Sequence, residues 1–308
     1  MGFIDLHCDT ACRIFEQNKN LYENDLHIDI KKLQQGNYYA QWFAFFVKLE
    51  TLGEETAFSK FNRMYDYFMK QLEQNKEYIS VVSTAEQYKK AKQEGKVAAF
   101  LSTEEGEIVA GGLDKVDYIE SLGLTLMTLT WNYKNSLACP HQLGGGLTPY
   151  GKEVVDYVNH KNMFLDVSHL SDEGIDEILE IYKKPLIASH SNAREVRNVT
   201  RNLCDRHIKA IANTGGVIGV NFYSGFLSSN PKSTIKDIKA MVDYLYKVGG
   251  IDVVAMGTDF DGIDCELEVS NGSQMGRLIQ ELEKSYSADE IEKITYKNTE
   301  RLILENLK

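Results

Sequence analysis

Eight short apolar runs recur along the chain, and amphipathic stretches separate them. The runs are four to eight residues long and rich in β-branched and aromatic residues, as is usual for buried strands. Because strands that alternate with helices build parallel sheets, we expect an α/β protein. The runs span residues 3–6, 40–47, 97–103, 125–130, 163–168, 185–189, 216–222 and 253–258.

Three of the intervening helices have ends that the sequence marks. Residues 85–93 follow a capping box that starts at Ser83, and the residues of 235–247 carry an apolar stripe with a 3.6-residue period before two glycines. A second capping box at Ser287 predicts a last helix that runs to the end of the sequence.

Polar and aromatic residues stand at the carboxyl ends of seven of the eight runs. In a (β/α)₈ barrel the carboxyl ends of all strands meet at one mouth, whereas an open sheet collects such residues at one switch point. No linker or repeat interrupts the chain. We therefore predict a single (β/α)₈ TIM-like barrel domain over residues 1–308. The strand-end residues are His7, Asp9, Glu104, Trp131, His169, His190, Tyr223 and Asp259.

Charge and cysteine content limit the partners and the compartment. The net charge of −11 is spread over the chain without a Lys/Arg cluster, so we expect neither nucleic acid nor a membrane surface as a partner. No signal peptide or long apolar segment is apparent. Five cysteines without a CxxC pair fit free thiols in a cytoplasmic protein. The oligomeric state stays open, a homo-oligomer included.

His7 and Asp9 form the first motif with the chemistry of a metal site. Residues i and i+2 of a strand point to the same side, about 7 Å apart, so both side chains reach one cation. Imidazole and carboxylate together suit zinc or a similar divalent ion. Taken alone, the pair equally fits two hydrogen-bonded residues at a strand end. Cys8 faces the opposite side and is predicted to be a core thiol.

Two further histidines and two glutamates strengthen the metal prediction. His169 and His190 each follow a serine at the end of a run, and Glu104 and Glu105 follow the third run. These ligands exceed what one tetrahedral zinc needs, and two metals that share a carboxylate would use them all. The other histidines are predicted to lie at the surface: His27, His141, His160 and His207.

A series of motifs resembles, in order and over nearly the whole chain, the membrane dipeptidase (renal dipeptidase) family of zinc peptidases, peptidase family M19. The motifs are DLHCDT, STEEGE with LTLMTLTWN, FLDVSHLSD, LIASHSNAR, VTRN and GTDFDGI. The resemblance implies a metal-dependent hydrolase barrel with two Zn²⁺ ions. His7 and Asp9 then resemble the ligands of one zinc, His169 and His190 those of the other, and Glu104 the bridging carboxylate.

The resemblance also implies roles around the metals. Arg201 is similar to the arginine that holds the terminal carboxylate of the substrate, and Asp259 to the aspartate beside the metal-bound water. Asp261 lies on the same face by strand alternation and is the less preferred candidate. Trp131 replaces the histidine of mammalian members, as in many bacterial members. Trp131 and Tyr223 are predicted to contact the substrate.

The predicted function is a zinc-dependent dipeptidase, which also accepts a D-residue at the C-terminal position. A metal-bridging hydroxide would attack the scissile carbonyl, and Asp259 would pass the proton to the leaving amine. One alternative is another amidohydrolase-like barrel for a cyclic amide or phosphoester, although Trp131 stands where such barrels commonly carry a carboxylated lysine. The other is a catalytically silent metal-binding scaffold.

Overall fold

The computed structural model describes all 308 residues, and eight parallel strands close into a ring. The ring order is β1-β2-β4-β5-β6-β7-β8-β10, and each predicted run overlaps one ring strand. The predicted (β/α)₈ barrel is therefore confirmed. The ring strands are β1 Phe3–Cys8, β2 Tyr38–Phe46, β4 Val97–Glu104, β5 Leu124–Thr128, β6 Phe164–Asp166, β7 Ile187–Ala188, β8 Val217–Val220 and β10 Val254–Met256.

Three short strands were not predicted from the sequence. β3 (Ile79–Val81) pairs with the start of β4, on the edge where β5 pairs with the end of β4. β9 (Lys232–Ser233) and β11 (Glu266–Leu267) form a separate parallel pair. Segments of two or three residues are too short to show a period in the sequence.

Helices connect the strands, and their ends refine the sequence predictions. The helix predicted over 85–93 is confirmed, but its cap is Thr84 rather than Ser83, because the Thr84 side chain accepts the Gln87 N–H. The helices are α1 Thr10–Gln17, α2 Ile30–Gln35, α3 Ala57–Gln74, α4 Ala85–Gln93, α5 Asp114–Ser121, α6 Pro149–Val158, α7 Asp172–Ile181, α8 Asp205–Asn213, α9 Ser224–Leu227, α10 Ile235–Gly249, α11 Met275–Leu282, α12 Ala288–Glu292 and α13 Asn298–Asn306. Shorter 3₁₀ turns span Leu49–Thr51, Gly106–Val109, Ile251–Val253 and Gly272–Gln274.

The C-terminal segment is helical as predicted, with one irregularity. Ser287 and Glu290 form the reciprocal capping box. A π-helical turn, Lys293–Lys297, then separates α12 from α13. None of the helices is long and apolar enough to cross a bilayer.

Two apolar clusters fill the barrel wall and the barrel floor. Between strands and helices, Phe43 of β2 packs on Phe68 of α3 with ring centroids 4.9 Å apart. Phe45 packs on Phe61 of the same helix at 5.4 Å. Because strand residues alternate, Trp42 faces the other way, into the barrel, where it stacks on Phe100 at 4.1 Å. We call the inner cluster the floor; it includes Ala40, Trp42, Ala98, Phe100, Leu126, Phe164, Ile187 and Val217.

The predicted surface position is wrong for one of the four remaining histidines. His207 is 1% exposed, because it lies on the buried face of α8 and its Nε2 is 2.9 Å from Asp176 Oδ1. His27 and His141 are partly buried in loops, and His160 is exposed. Its polar partner allows His207 to pack on the buried face of α8, and the sequence pattern did not show that partner.

Candidate metal centre

Six titratable side chains converge at the mouth of the barrel, the end formed by the carboxyl termini of the ring strands. All come from strand ends that lie far apart in the sequence, and none is more than 9% exposed. The barrel therefore brings together the predicted ligands and the predicted proton carrier. They are His7, Asp9, Glu104, His169, His190 and Asp259.

The Glu104 carboxylate lies between two sets of candidate ligands. Its Oε2 is 3.2 Å from His7 Nε2, and Asp9 Oδ2 is 3.4 Å from the same nitrogen. Its Oε1 is 3.1 Å from His169 Nε2 and 3.5 Å from His190 Nε2. Each carboxylate oxygen thus faces a different set, which is the arrangement that a bridging ligand needs.

Glu105 points away from this centre. Its carboxylate accepts hydrogen bonds from the Glu107 N–H at 2.9 Å, from the Trp131 N–H at 3.3 Å and from the Asn135 side chain. Successive strand residues point to opposite sides, so only one of the two glutamates reaches the mouth.

Asp259 and Asp261 also point to different sites, although strand alternation predicts that they share one face. Asp259 Oδ1 is 3.9 Å from His7 Nε2, and its Oδ2 accepts the Asn221 side chain at 2.9 Å. Asp261 instead accepts Thr10 Oγ1 and the His27 N–H, both at 2.6 Å. Strand alternation fails here because both aspartates have left-handed backbones, with φ of 61° and 69°.

Backbone strain is concentrated at the mouth. Of five non-glycine residues with positive φ, three lie here: His169, Asp259 and Asp261. Such conformations cost about 1–3 kcal/mol each and persist where the surrounding structure enforces them, often at functional sites. The glycine at position 262 leaves space for two carboxylates of the mouth, because a Cβ there would lie 2.2 Å from Asp9 Oδ2 and 2.4 Å from Asp259 Oδ1.

The metal-free centre is electrostatically unfavourable. Burial raises the pKa of Glu104 to about 8 and that of Asp259 to about 7. Burial, together with the charge of Arg201, lowers the pKa of His169 well below its usual value. Burial opposes a charge on His7, but Glu104 and Asp9 outweigh it and raise the pKa of His7. Crowded buried carboxylates of this kind are stabilised by a cation.

The unsatisfied atoms of the centre fit a divalent metal. His7 Nε2 and Asp9 Oδ1 are buried without a hydrogen-bond partner. His169 Nε2 and His190 Nε2 face each other at 2.9 Å. Imidazole nitrogens and carboxylate oxygens are the ligands that zinc and similar ions take.

An open cleft of about 490 Å³ leads to the centre. Trp131 and Tyr223, the residues predicted to contact the substrate, line it, and Trp131 packs edge-to-face on Phe46 at 4.7 Å. The cleft walls also include Arg13, Glu16, Lys48, Asn132, Phe226 and Asp264.

Arg201 lies behind the cleft wall rather than in it. The side chain is 3% exposed, and it donates from Nη1 to Ser191 Oγ and from Nη2 to the His190 carbonyl, both at 2.8 Å. Burial lowers the pKa of Arg201 to about 10. Its Nε is buried without a hydrogen-bond partner.

A second layer of polar residues behind the ligands was missed from the sequence. Asn132 Oδ1 is 3.1 Å from His169 Nδ1, and Ser189 Oγ is 2.7 Å from His190 Nδ1. Asn221 holds Asp259. The serine before each histidine was visible in the sequence and was the one available signal.

Known proteins share this fold and much of this sequence. The membrane dipeptidase family (peptidase family M19) matches residues 1–307. A Klebsiella pneumoniae protein encoded in the pqqA 5′ region is 32% identical over 227 residues, 68% of this chain and 83% of that protein. An uncharacterized dipeptidase of Schizosaccharomyces pombe is 30% identical over 263 residues, 79% of this chain and 63% of that protein.

A solved structure matches the whole barrel. It is a metallopeptidase from Rhodobacter sphaeroides liganded with a phosphinate mimic of the dipeptide L-Ala-D-Ala, with a TM-score of 0.92 and 22% identity, covering 100% of this chain and 99% of that chain. At this identity the likeness concerns the fold. The family match over nearly the full length shows that this chain belongs to the membrane dipeptidase family, peptidase family M19, and is a metallopeptidase.

Proposed function

We propose that the protein is a dipeptidase that works with two zinc ions at the barrel mouth. His7 and Asp9 would hold one ion, His169 and His190 the other, and Glu104 would bridge them. The observation that carries this proposal is the placement of the Glu104 oxygens, 3.2 Å from His7 Nε2 on one side and 3.1 Å from His169 Nε2 on the other.

The chemistry divides between the metals and the chain. Bound zinc ions would polarise the scissile carbonyl and lower the pKa of water toward about 7. Asp259 would accept a proton and return it to the leaving amine, because Asn221 occupies its Oδ2 and leaves Oδ1 free at the mouth. The open cleft, which Asp259 lines, would admit the amide to this carboxylate.

The substrate proposal rests on the cleft and on the charge behind it. A cleft of about 490 Å³ has room for a dipeptide, with Trp131 and Tyr223 against its side chains. The Arg201 guanidinium would attract the terminal carboxylate, and its unpartnered Nε–H supports that role. The Rhodobacter sphaeroides enzyme bound to an L-Ala-D-Ala mimic supports a substrate range that includes a D-residue at the second position.

Five unpaired cysteines support the further proposal that the enzyme works in the reducing cytoplasm.

The test is an assay of amino acid release from L,L and L,D dipeptides by zinc-loaded protein. Both series should be hydrolysed, and a C-terminally amidated dipeptide should be a poor substrate. Arg201→Ala should lower kcat/KM for the free acid tens- to thousands-fold, which corresponds to a loss of roughly 2–5 kcal/mol of transition-state stabilisation. The kcat/KM for the amidated dipeptide should not change.

Arg194→Ala is the matched control, because Arg194 lies in the same loop but pairs with Asp172 at 2.6 Å. It should keep the preference for the free acid. Equal hydrolysis of acid and amide by the parent protein would favour a general amidase. No hydrolysis by the metal-loaded protein would favour a silent scaffold.

A further inference from the structure

A buried carboxylate, Asp166, lies behind both Ser-His dipeptides of the metal centre. Asp166 is fully buried at the end of β6. Its Oδ1 accepts the backbone N–H of Ser168 at 2.9 Å and that of Ser189 at 2.8 Å. These serines immediately precede His169 and His190, so one carboxylate fixes the two strand ends that carry the histidines.

The second oxygen of Asp166 binds two hydroxyl groups. Ser189 Oγ donates to Oδ2 at 2.5 Å, and Thr128 Oγ1 donates to it at 2.7 Å. A carboxylate has about four acceptor sites, so these four donors occupy it. Asp166 is therefore not a free acid or a spare metal ligand.

The direction of these bonds determines where the His190 ring carries its proton. The single proton of the Ser189 hydroxyl is used on Asp166, so Ser189 Oγ offers a lone pair to His190 Nδ1 at 2.7 Å. Nδ1 must then carry the ring proton. The lone pair is left on Nε2, which faces Glu104 Oε1 at 3.5 Å.

We propose that Asp166 is a positioning residue that, through Ser189, sets the tautomer of His190 in which Nε2 is free to bind metal. The inference rests on the proposed function in that His190 is taken as a ligand. A carboxylate behind a ligating histidine orients the ring and raises its basicity, and its loss typically weakens metal binding about 10- to 100-fold. Here a serine hydroxyl connects the two.

Asp5 is a matched comparison for a purely structural role. It is equally buried and accepts the Thr258 N–H at 2.9 Å, Thr258 Oγ1 at 2.6 Å and the His7 N–H at 3.2 Å. It touches no histidine ring, so its loss removes a buried carboxylate without changing a tautomer.

The experiment measures the ring nitrogens directly. The ¹⁵N shifts of His190 in metal-free, histidine-labelled protein should show a protonated Nδ1. In Asp166→Asn the amide N–H₂ faces the hydroxyls, so Ser189 has to donate to His190 Nδ1, and the ring proton should move to Nε2. Zinc binding, measured by competition with a chelator, should weaken about 10- to 100-fold at the histidine pair.

Asp5→Asn and Thr128→Val should keep the parent tautomer. If Asp166→Asn does not fold, Ser189→Ala should weaken zinc binding and Ser189→Thr, which retains the hydroxyl, should not. An unchanged tautomer with zinc affinity within about twofold in Asp166→Asn, or equal affinity in the two Ser189 variants, would overturn the proposal. The ¹⁵N measurement needs neither metal nor peptide, so a failure to hydrolyse dipeptides would count against the proposed function alone.

Discussion

The floor and the mouth of the barrel are built on the same strands but have opposite physical character. On the inner face of β4, Phe100 belongs to the floor and Glu104, four residues later, to the mouth. Burial of the floor removes apolar surface from water and stabilises the fold. Burial of the mouth raises the pKa of Glu104 and Asp259 and leaves His7 Nε2 and Asp9 Oδ1 without partners. Packing of the floor therefore stabilises the strands that carry the unfavourable cluster of charged groups at the mouth.

The same contrast appears in the backbone. Three of the five non-glycine residues with positive φ lie at the mouth, namely His169, Asp259 and Asp261, and none belongs to the floor. Strain that raises the energy of the metal-free protein is tolerated because the floor and the surrounding helices determine the chain path. We infer that mutations at the mouth change chemistry and that mutations in the floor change stability.

The largest effect should follow a substitution at the mouth. Asp259→Asn should lower kcat by about 10²- to 10⁴-fold, because a carboxamide cannot carry a proton. The metal content should stay at the parent level, and the free energy of unfolding of the metal-free protein should not fall, since a buried carboxylate is removed. Steady-state kinetics and urea unfolding measure these quantities. Unaltered kcat would remove Asp259 from the mechanism.

The floor should respond in the opposite way. Phe100→Ala should lower the free energy of unfolding by about 3–5 kcal/mol, because it leaves a cavity against Trp42. Metal content of the folded protein should be unchanged. Tyr118→Ala is the control. Because Tyr118 is 38% exposed, this substitution should lower the free energy of unfolding much less. A fall in metal content with little change in stability would contradict the division between floor and mouth.

The smallest effect should come from the helix that begins the C-terminal segment, away from the mouth. Ser287→Ala removes the capping box and should cost about 1 kcal/mol of unfolding free energy. α13 reaches the floor through Leu302 and Ile303, so the loss should appear in stability and leave kcat/KM unchanged. A clear loss of activity would show that this segment acts on the mouth.

The strands and the convergence of the candidate ligands were predictable from the sequence because both follow local rules. The eight runs show strand composition, and His7, Asp9, Glu104, His169 and His190 stand where strands end. Asp261 was misplaced because the left-handed backbone at Asp259 breaks strand alternation.

The residues that support the ligands were not predictable. Asp166 meets Ser189 across 23 positions of sequence, and Asn221 meets Asp259 across 38, so no local pattern shows these pairs. His207 was placed at the surface because its partner Asp176, on α7, lies 31 positions away in the sequence.

The central claim is that Glu104 joins two metal ions at the mouth, and zinc titration followed by metal analysis tests it most directly. The parent protein should bind about two equivalents, because one tetrahedral ion cannot use all five ligands. Glu104→Gln should bind markedly less, whereas Glu105→Gln should stay near two, since the Glu105 carboxylate points to Asn135 and the Glu107 N–H. One equivalent in the parent protein, or loss of metal with Glu105→Gln and not with Glu104→Gln, would contradict the account.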